Sequence, residues 1–154
     1  MYQTTKEDRM NTKALLPAML ALGIAAGAAH AGAPNYNFCV RSSPKTPDLV
    51  VAALKSYAEA RKWLYLAEFK IKNGEVTSVK ICYPPIGKHI FAAGMHVAAM
   101  MPCGQVAVYN ENGTKLAMLH PKFMTVLYPD ENLERAVREV TPLFEAMLDE
   151  VVAP

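Results

Sequence analysis

Between Met95 and Met124 the chain concentrates side chains that bind soft or transition metals: Met95, His96, Met100, Met101, Cys103, Met118, His120 and Met124. The only other histidine beyond residue 31 is His89. Imidazole and thioether are ordinary axial ligands of haem iron and set its potential. Thioether, thiolate and imidazole together also suit Cu(I). No CxxCH occurs, so any haem is noncovalent haem b. Other chemistries lack their residues. There is no GxSxG, no HExxH and no Gly-rich phosphate loop, and the paired carboxylates fall on exposed helix faces. Hydrolase and kinase activities therefore have no support, and no enzymatic activity is expected.

The candidate haem ligands are His120 and His96 with Met101 or Met100, and Gly104 is expected to leave open space beside the imidazole. A copper site would draw on His96, His120, Met95 and Met124, although a Cu(I) carrier usually spaces several methionines regularly on an exposed loop, and only Met95, Met100 and Met101 approach that. A third reading needs no cofactor: an interaction module with a methionine-rich core, in which Met118 and Met147 are packing residues.

What brings these residues together is strand register. Val106-Ala107-Val108-Tyr109 and Lys115-Leu116-Ala117-Met118 flank Glu111-Asn112-Gly113. A three-residue loop with glycine in the left-handed position sets Val108 opposite Leu116, Val106 opposite Met118 and His120 opposite Gly104. Asn112-Gly113-Thr114 matches a glycosylation sequon but reads as turn chemistry. The alternating run Trp63, Tyr65, Ala67, Phe69 meets Thr77, Val79, Ile81, Tyr83 across Lys72-Asn73-Gly74. Here the same loop type pairs Tyr65 with Ile81, Ala67 with Val79 and Phe69 with Thr77. A register that sets Phe69 opposite Ser78 and Ala67 opposite Lys80 would split the apolar face, which disfavours it.

Helices flank the hairpins. Thr46-Pro47-Asp48 supplies an N-cap, a first-turn proline and a first-turn acid, and Val50, Ala53, Leu54 and Tyr57 repeat at helical spacing to about Arg61. Pro84-Pro85 stops a strand and opens a short helix through Ala93, terminated by Gly94. From Asp130 to Val152, Leu133, Val137, Val140, Phe144, Met147, Leu148 and Val151 form an apolar stripe, with Glu131/Arg135 and Glu134/Arg138 as i,i+4 pairs. Pro142 removes the bond to the Arg138 carbonyl, so a kink or break is expected there. The fold class is α+β: a two-layer domain with an antiparallel sheet from two hairpins and helices packed on one face.

The N-terminal segment sets the compartment. Asn11-Thr12-Lys13 precedes an uncharged run from Ala14 to Ala29, then Ala29-His30-Ala31-Gly32. This is the grammar of a cleavable signal peptide over residues 1–31, with Met10 as the natural start, so the mature protein is expected in the periplasm or secreted. The run is too short and too rich in Ala and Gly for a membrane anchor. Residues 32–45 read as a leader in which Phe38-Cys39-Val40 could form a short strand, and residues 46–154 as one domain. Beyond Ala31, 13 basic residues face 12 acidic ones. That balance argues against nucleic acid or an anionic membrane surface as partner.

The chain resembles the prokaryotic family called domain of unknown function 302 over roughly Lys45 to Val152. Four stretches carry the likeness in order: Val79-Lys80-Ile81-Cys82-Tyr83-Pro84, where the family has Cys-Asn-Pro; Met100-Met101-Pro102-Cys103, like its apolar-Pro-Cys; the hairpin Val106 to Gly113; and Leu127-Tyr128-Pro129 before the last helix. Tyr83 and Pro84-Pro85 depart from the usual Asn-Pro-Lys, so a pocket there would differ from relatives. The resemblance implies a small α+β fold, often a homodimer, and no general catalytic assignment. Some exported members bind haem, which implies haem and a redox partner protein here; a small two-layer domain has limited room to enclose haem alone, so it is expected near a dimer interface. In the family pattern Cys103 is a structural thiol or a disulfide partner of Cys82.

Overall fold

A computed structural model describes residues 37–100 and 103–154. The expected signal peptide, the start of the leader and Met101 lie outside them. The sheet is antiparallel with five strands in the order β1-β5-β4-β3-β2: β1 Phe38–Ser43, β2 Leu64–Ile71, β3 Val76–Cys82, β4 Gly104–Asn110 and β5 Thr114–Leu119. The helices are α1 Pro47–Ala60, α2 Gly87–Ala93, α3 Phe123–Leu127 and α4 Glu131–Val152. The α+β class holds, but the sheet is larger than two hairpins. The short strand expected within the leader at Phe38-Cys39-Val40 is present and runs on to Ser43 as the edge strand β1, pairing Cys39 with Met118 and Val40 with Ala117.

Local chemistry explains the helices. The Thr46 hydroxyl accepts from the Leu49 N–H at the start of α1, and one Asp130 carboxylate oxygen accepts from the N–H groups of Asn132 and Leu133 at the start of α4. Gly94, at φ 131°, stops α2 in a conformation that favours glycine. α4 runs unbroken through Pro142, contrary to the expected break. Pro142 and Arg138 both lie on the solvent side, so the carbonyl that loses its partner can bond to water. The pairs Glu131/Arg135 and Glu134/Arg138 form at 3.7 and 3.4 Å.

The β4–β5 register is the expected one, Val106 with Met118 and Val108 with Leu116. The β2–β3 register is not. Phe69 lies opposite Ser78 and Ala67 opposite Lys80, and only Tyr65 with Ile81 is as expected. The cause is a four-residue turn, Lys72 to Glu75, closed by the Glu75 N–H donating to the Lys72 carbonyl and by a Lys72–Glu75 ion pair at 2.6 Å. A bulge between Tyr65 and Ala67 then returns Tyr65 to the inner face.

Alternation along each strand separates two faces. The inner face carries Val79, Ile81, Val106, Val108, Leu116 and Met118 against Val50, Leu54, Leu133, Val140, Phe144 and Met147 from α1 and α4, all within one buried cluster. Trp63 joins it, with Tyr57 and Phe144 edge-on at ring separations of 5.4 and 5.6 Å. Among the described residues, the outer face carries no helix contact of this kind, and its large side chains are exposed. Among the described residues, too, no helix is long and apolar enough to cross a membrane.

Candidate functional site

A cavity of about 290 Å³ opens where β5 ends and β4 begins. Lys80, Gln105 and Leu119 bring the outer sheet face to its rim, Met100, Phe123, Met124 and Leu127 supply apolar walls, and Gly104 and His120 sit at the strand ends. Four of the expected residues therefore share one cavity: His120, Gly104, Met100 and Met124. Two others do not. His96 stands edge-on to Tyr128 at 5.4 Å beside Gly94, and Met95 is 75% exposed.

Gly104 does not leave the expected open space. A β-carbon there would lie 2.9 Å from Met118 Sδ and 3.2 Å from two Phe144 ring carbons. Glycine is needed because core side chains already fill the position, with Met118 only 2% exposed as a packing residue should be. The β4–β5 ladder ends at Val106–Met118, and the His120 N–H instead donates to the Asn37 carbonyl at 2.9 Å. His120 Nδ1 accepts the Lys122 N–H at 3.1 Å.

Cys82 and Cys103 are joined as a disulfide across the adjoining ends of β3 and β4, beside the cavity. Cys39 is the free cysteine and is buried. Its thiol, the His120 imidazole and the Glu145 carboxylate place one ligand atom each within 4.8 Å of one another. Burial first, and then the Glu145 charge, pushes the Cys39 thiol above its ordinary range, against the pull of Arg41 and Lys122. Sequence reasoning missed both Cys39 and Glu145. The alternation of Cys39, Arg41 and Ser43 was the available signal, since it marks a strand with Cys39 inward, but nothing local shows that β1 pairs with β5.

A haem needs an axial base in an apolar slot wide enough for the macrocycle. The donors fit: His120 with the thioethers of Met100 and Met124, on largely apolar walls. The volume fits only part of the ring system, because pockets that bury ligands of drug size start at roughly 300 Å³. The cavity continues at Lys80, Gln105 and Leu119 onto the outer sheet face, where the remainder of a macrocycle would find room. Ligation through Nε2 also requires the ring proton on Nδ1, which displaces the Lys122 N–H. Losing that single neutral hydrogen bond costs only about 1 kcal/mol.

A five-stranded antiparallel sheet covered on one face, with a disulfide-rimmed cavity at its end, defines the class: a compact two-layer α+β domain. The family model for Domain of unknown function DUF302 matches residues 38–152, and the chain belongs to that family. The match begins at β1, in agreement with its place in the sheet. A crystal structure of an uncharacterized conserved DUF302 protein from Bacillus stearothermophilus is similar in fold, with a TM-score of 0.67 at 17% identity, covering 77% of this chain and 99% of that one. No curated protein matches.

Proposed function

We propose that this is an exported, noncatalytic binding protein that holds noncovalent haem b at the strand-end cavity, for electron transfer or sensing. The observation that carries this reading is the meeting of His120 with Met100 and Met124 on one apolar cavity whose rim merges with the exposed sheet face. The N-terminal charge, apolar run and small residues of Ala29-His30-Ala31 support export. Haem, when bound, supplies one-electron chemistry. The chain's own contribution is to hold an imidazole at the cavity, to exclude water with Phe123, Met124 and Leu127, and to offer Lys80 at the rim to a carboxylate.

A specific observation favours a second reading, binding of a metal ion such as Cu(I) or Zn²⁺ by Cys39, His120 and Glu145. Of the donors expected for copper, His96 and Met95 stand apart from this cluster.

Absorption spectroscopy of protein purified from the periplasm, titrated with haem, separates the two. Haem binding predicts a Soret band that shifts on reduction, is lost in His120→Ala and survives in Cys39→Ser. Metal binding predicts one ion per chain in a mass measurement, lost in both variants. A featureless visible spectrum after titration refutes the haem reading.

A further inference from the structure

Cys82 stands one residue beyond Ile81 and Cys103 one before Gly104, and Ile81 and Gly104 are paired across β3 and β4. The Gly104 position faces Met118 and Phe144 in the core, so alternation turns Cys82, and with it the bridge to Cys103, onto the outer sheet face. The free thiol lies on the other side of the sheet, because Cys39 pairs with core-facing Met118. Cys39 is therefore no resolving thiol for the bridge. The two bridged sulfurs also differ in what they meet. Cys103 lines the strand-end cavity, and Cys82 stands behind it on β3. In the sheet order β5-β4-β3, the cavity residues Leu119 and His120 lie on one side of Cys103 and Cys82 on the other. With Cys82 and Cys103 only 9% and 8% exposed, the cavity is the open approach to the bridge.

We infer that the Cys82–Cys103 bridge is a thiol-exchange site, at which a small anionic thiol entering the cavity is joined to Cys103. Exchange requires the attacking thiolate to approach one sulfur opposite the sulfur that leaves. A thiolate in the cavity meets Cys103 from the β5 side, with Cys82 as the leaving group on the β3 side. The new S–S bond forms at Cys103, the Cys82–Cys103 bond breaks, and Cys82 leaves as a thiolate that takes a proton from water. A second molecule of the thiol then attacks the sulfur of the first. It releases the free disulfide and Cys103 as a thiolate, which is protonated in turn. Two thiols are oxidised, the bridge is reduced by two electrons, and the protein is a reactant rather than a catalyst. Charge selects the thiol. Lys80 lies two residues before Cys82 on the same face and reaches the cavity rim, whereas none of the described lining residues is a carboxylate. A nearby ammonium favours the thiolate over the thiol and attracts a carboxylate on the same molecule. Size selects it too. At about 30 Å³ for each water-sized group, a cavity of about 290 Å³ has room for roughly ten such groups, a small molecule and not a protein loop.

The test treats the oxidised, haem-free protein with 3-mercaptopropionate or with 2-aminoethanethiol, two small thiols of opposite charge. Samples are stopped with acid and N-ethylmaleimide and read by peptide mass mapping. Each rate is divided by the same thiol's rate on 2-hydroxyethyl disulfide, which cancels the thiol's own acidity and nucleophilicity. The expected product carries the probe on Cys103 and the maleimide on Cys82, in protein whose circular dichroism spectrum is native. The anionic thiol should be favoured roughly fivefold or more, the effect of one opposite charge about 4 Å away in water. Lys80→Gln should abolish that preference while leaving the probe on Cys103. Should Lys80→Gln not fold, the two rates on the native protein decide alone. A probe found on Cys82 or Cys39, equal normalised rates for the two thiols, or a bridge that reacts only after unfolding in urea overturns the inference. Because no haem enters the assay, exchange in a protein that shows no Soret band defeats the haem reading alone, and a haem-binding protein with an inert bridge defeats the exchange alone.

Discussion

Replacing Gly104 with alanine tests the packing at the cavity's inner wall, and its sign is informative. The added methyl would meet Met118 Sδ at 2.9 Å and the Phe144 ring at 3.2 Å. Phe144 cannot retreat, since it is 2% exposed and held edge-on by Trp63. Met118 must therefore move within a filled core, and overpacking of this kind costs ~1–3 kcal/mol. Gly104 is not in the left-handed region, so alanine fits the backbone and recovers ~0.4–1 kcal/mol by restricting the unfolded chain. The net expectation is a loss of about 1 kcal/mol, which lowers Tm by roughly 4 °C in a domain of this size. Urea and thermal unfolding followed by circular dichroism measure it. In a Met118→Val background, which frees the space occupied by Sδ, Gly104→Ala should become neutral or stabilising. A Gly104→Ala protein at or above native stability would refute this account, because that is the outcome if the position faces open space.

Three further outcomes follow from the structure. Reducing the Cys82–Cys103 bridge, which closes a separation of 21 residues, should cost about 3 kcal/mol in equilibrium unfolding, whereas Cys39→Ser leaves the sensitivity to reductant intact. Asp149→Asn should remove no more than ~0.5 kcal/mol at pH 7, the Arg41 pair at 2.5 Å being largely exposed and screened. The hydrogen bond from Arg41, and then its charge, hold the Asp149 carboxyl below its ordinary value of 3.8; that small contribution is present above pH 3.8 and vanishes as pH falls through the lowered value, so the stability difference between the native protein and the Asp149→Asn variant should shrink as pH falls below 3.8. Asp130→Ala should cost about 1 kcal/mol through loss of the two N-terminal bonds of α4, read as a drop in the urea midpoint with unchanged slope.

Much of the fold was legible because its signals are local. Thr46-Pro47-Asp48 starts α1, Asn112-Gly113 sets the β4–β5 register, and the 3.6-residue stripe of α4 meets the core as its spacing demands. The readings that missed depended on distant partners. A short strand at Phe38-Cys39-Val40 was expected, but not its extension to Ser43 or its place in the sheet, which it takes because β5, far along the chain, offers it a ladder. The β2–β3 register was argued from the premise that the apolar residues of β2 face the core; instead Phe69 and Ile71 pair with outward Ser78 and Val76, while Glu68 and Lys70 stand opposite inward Val79 and Thr77. Pro142 failed to break α4 because packing along the whole stripe outweighs one bond lost to solvent. At the site, hairpin register correctly drew His120 and Gly104 to one place, yet it could not show that Phe144, arriving from α4, fills the space beside the glycine. Cys39 and Glu145 escaped notice for the same reason, since three elements far apart in sequence converge there.

The position of β1 also bears on the order in which the molecule can assemble. Among the described residues it is the first strand synthesised, and its strand neighbour there, β5, ends at Leu119. Every other pairing in the sheet joins consecutive strands, with α2 between β3 and β4. The β2 to β5 meander can therefore form by shorter-range steps, while β1 has no ladder partner until β5 is made, and its pairing closes the longest loop in the sheet. During this interval the Cys39 thiol is exposed alongside two other cysteines. Docking of β1 then buries it, so the last step in building the sheet is also the step that withdraws the spare thiol from exchange.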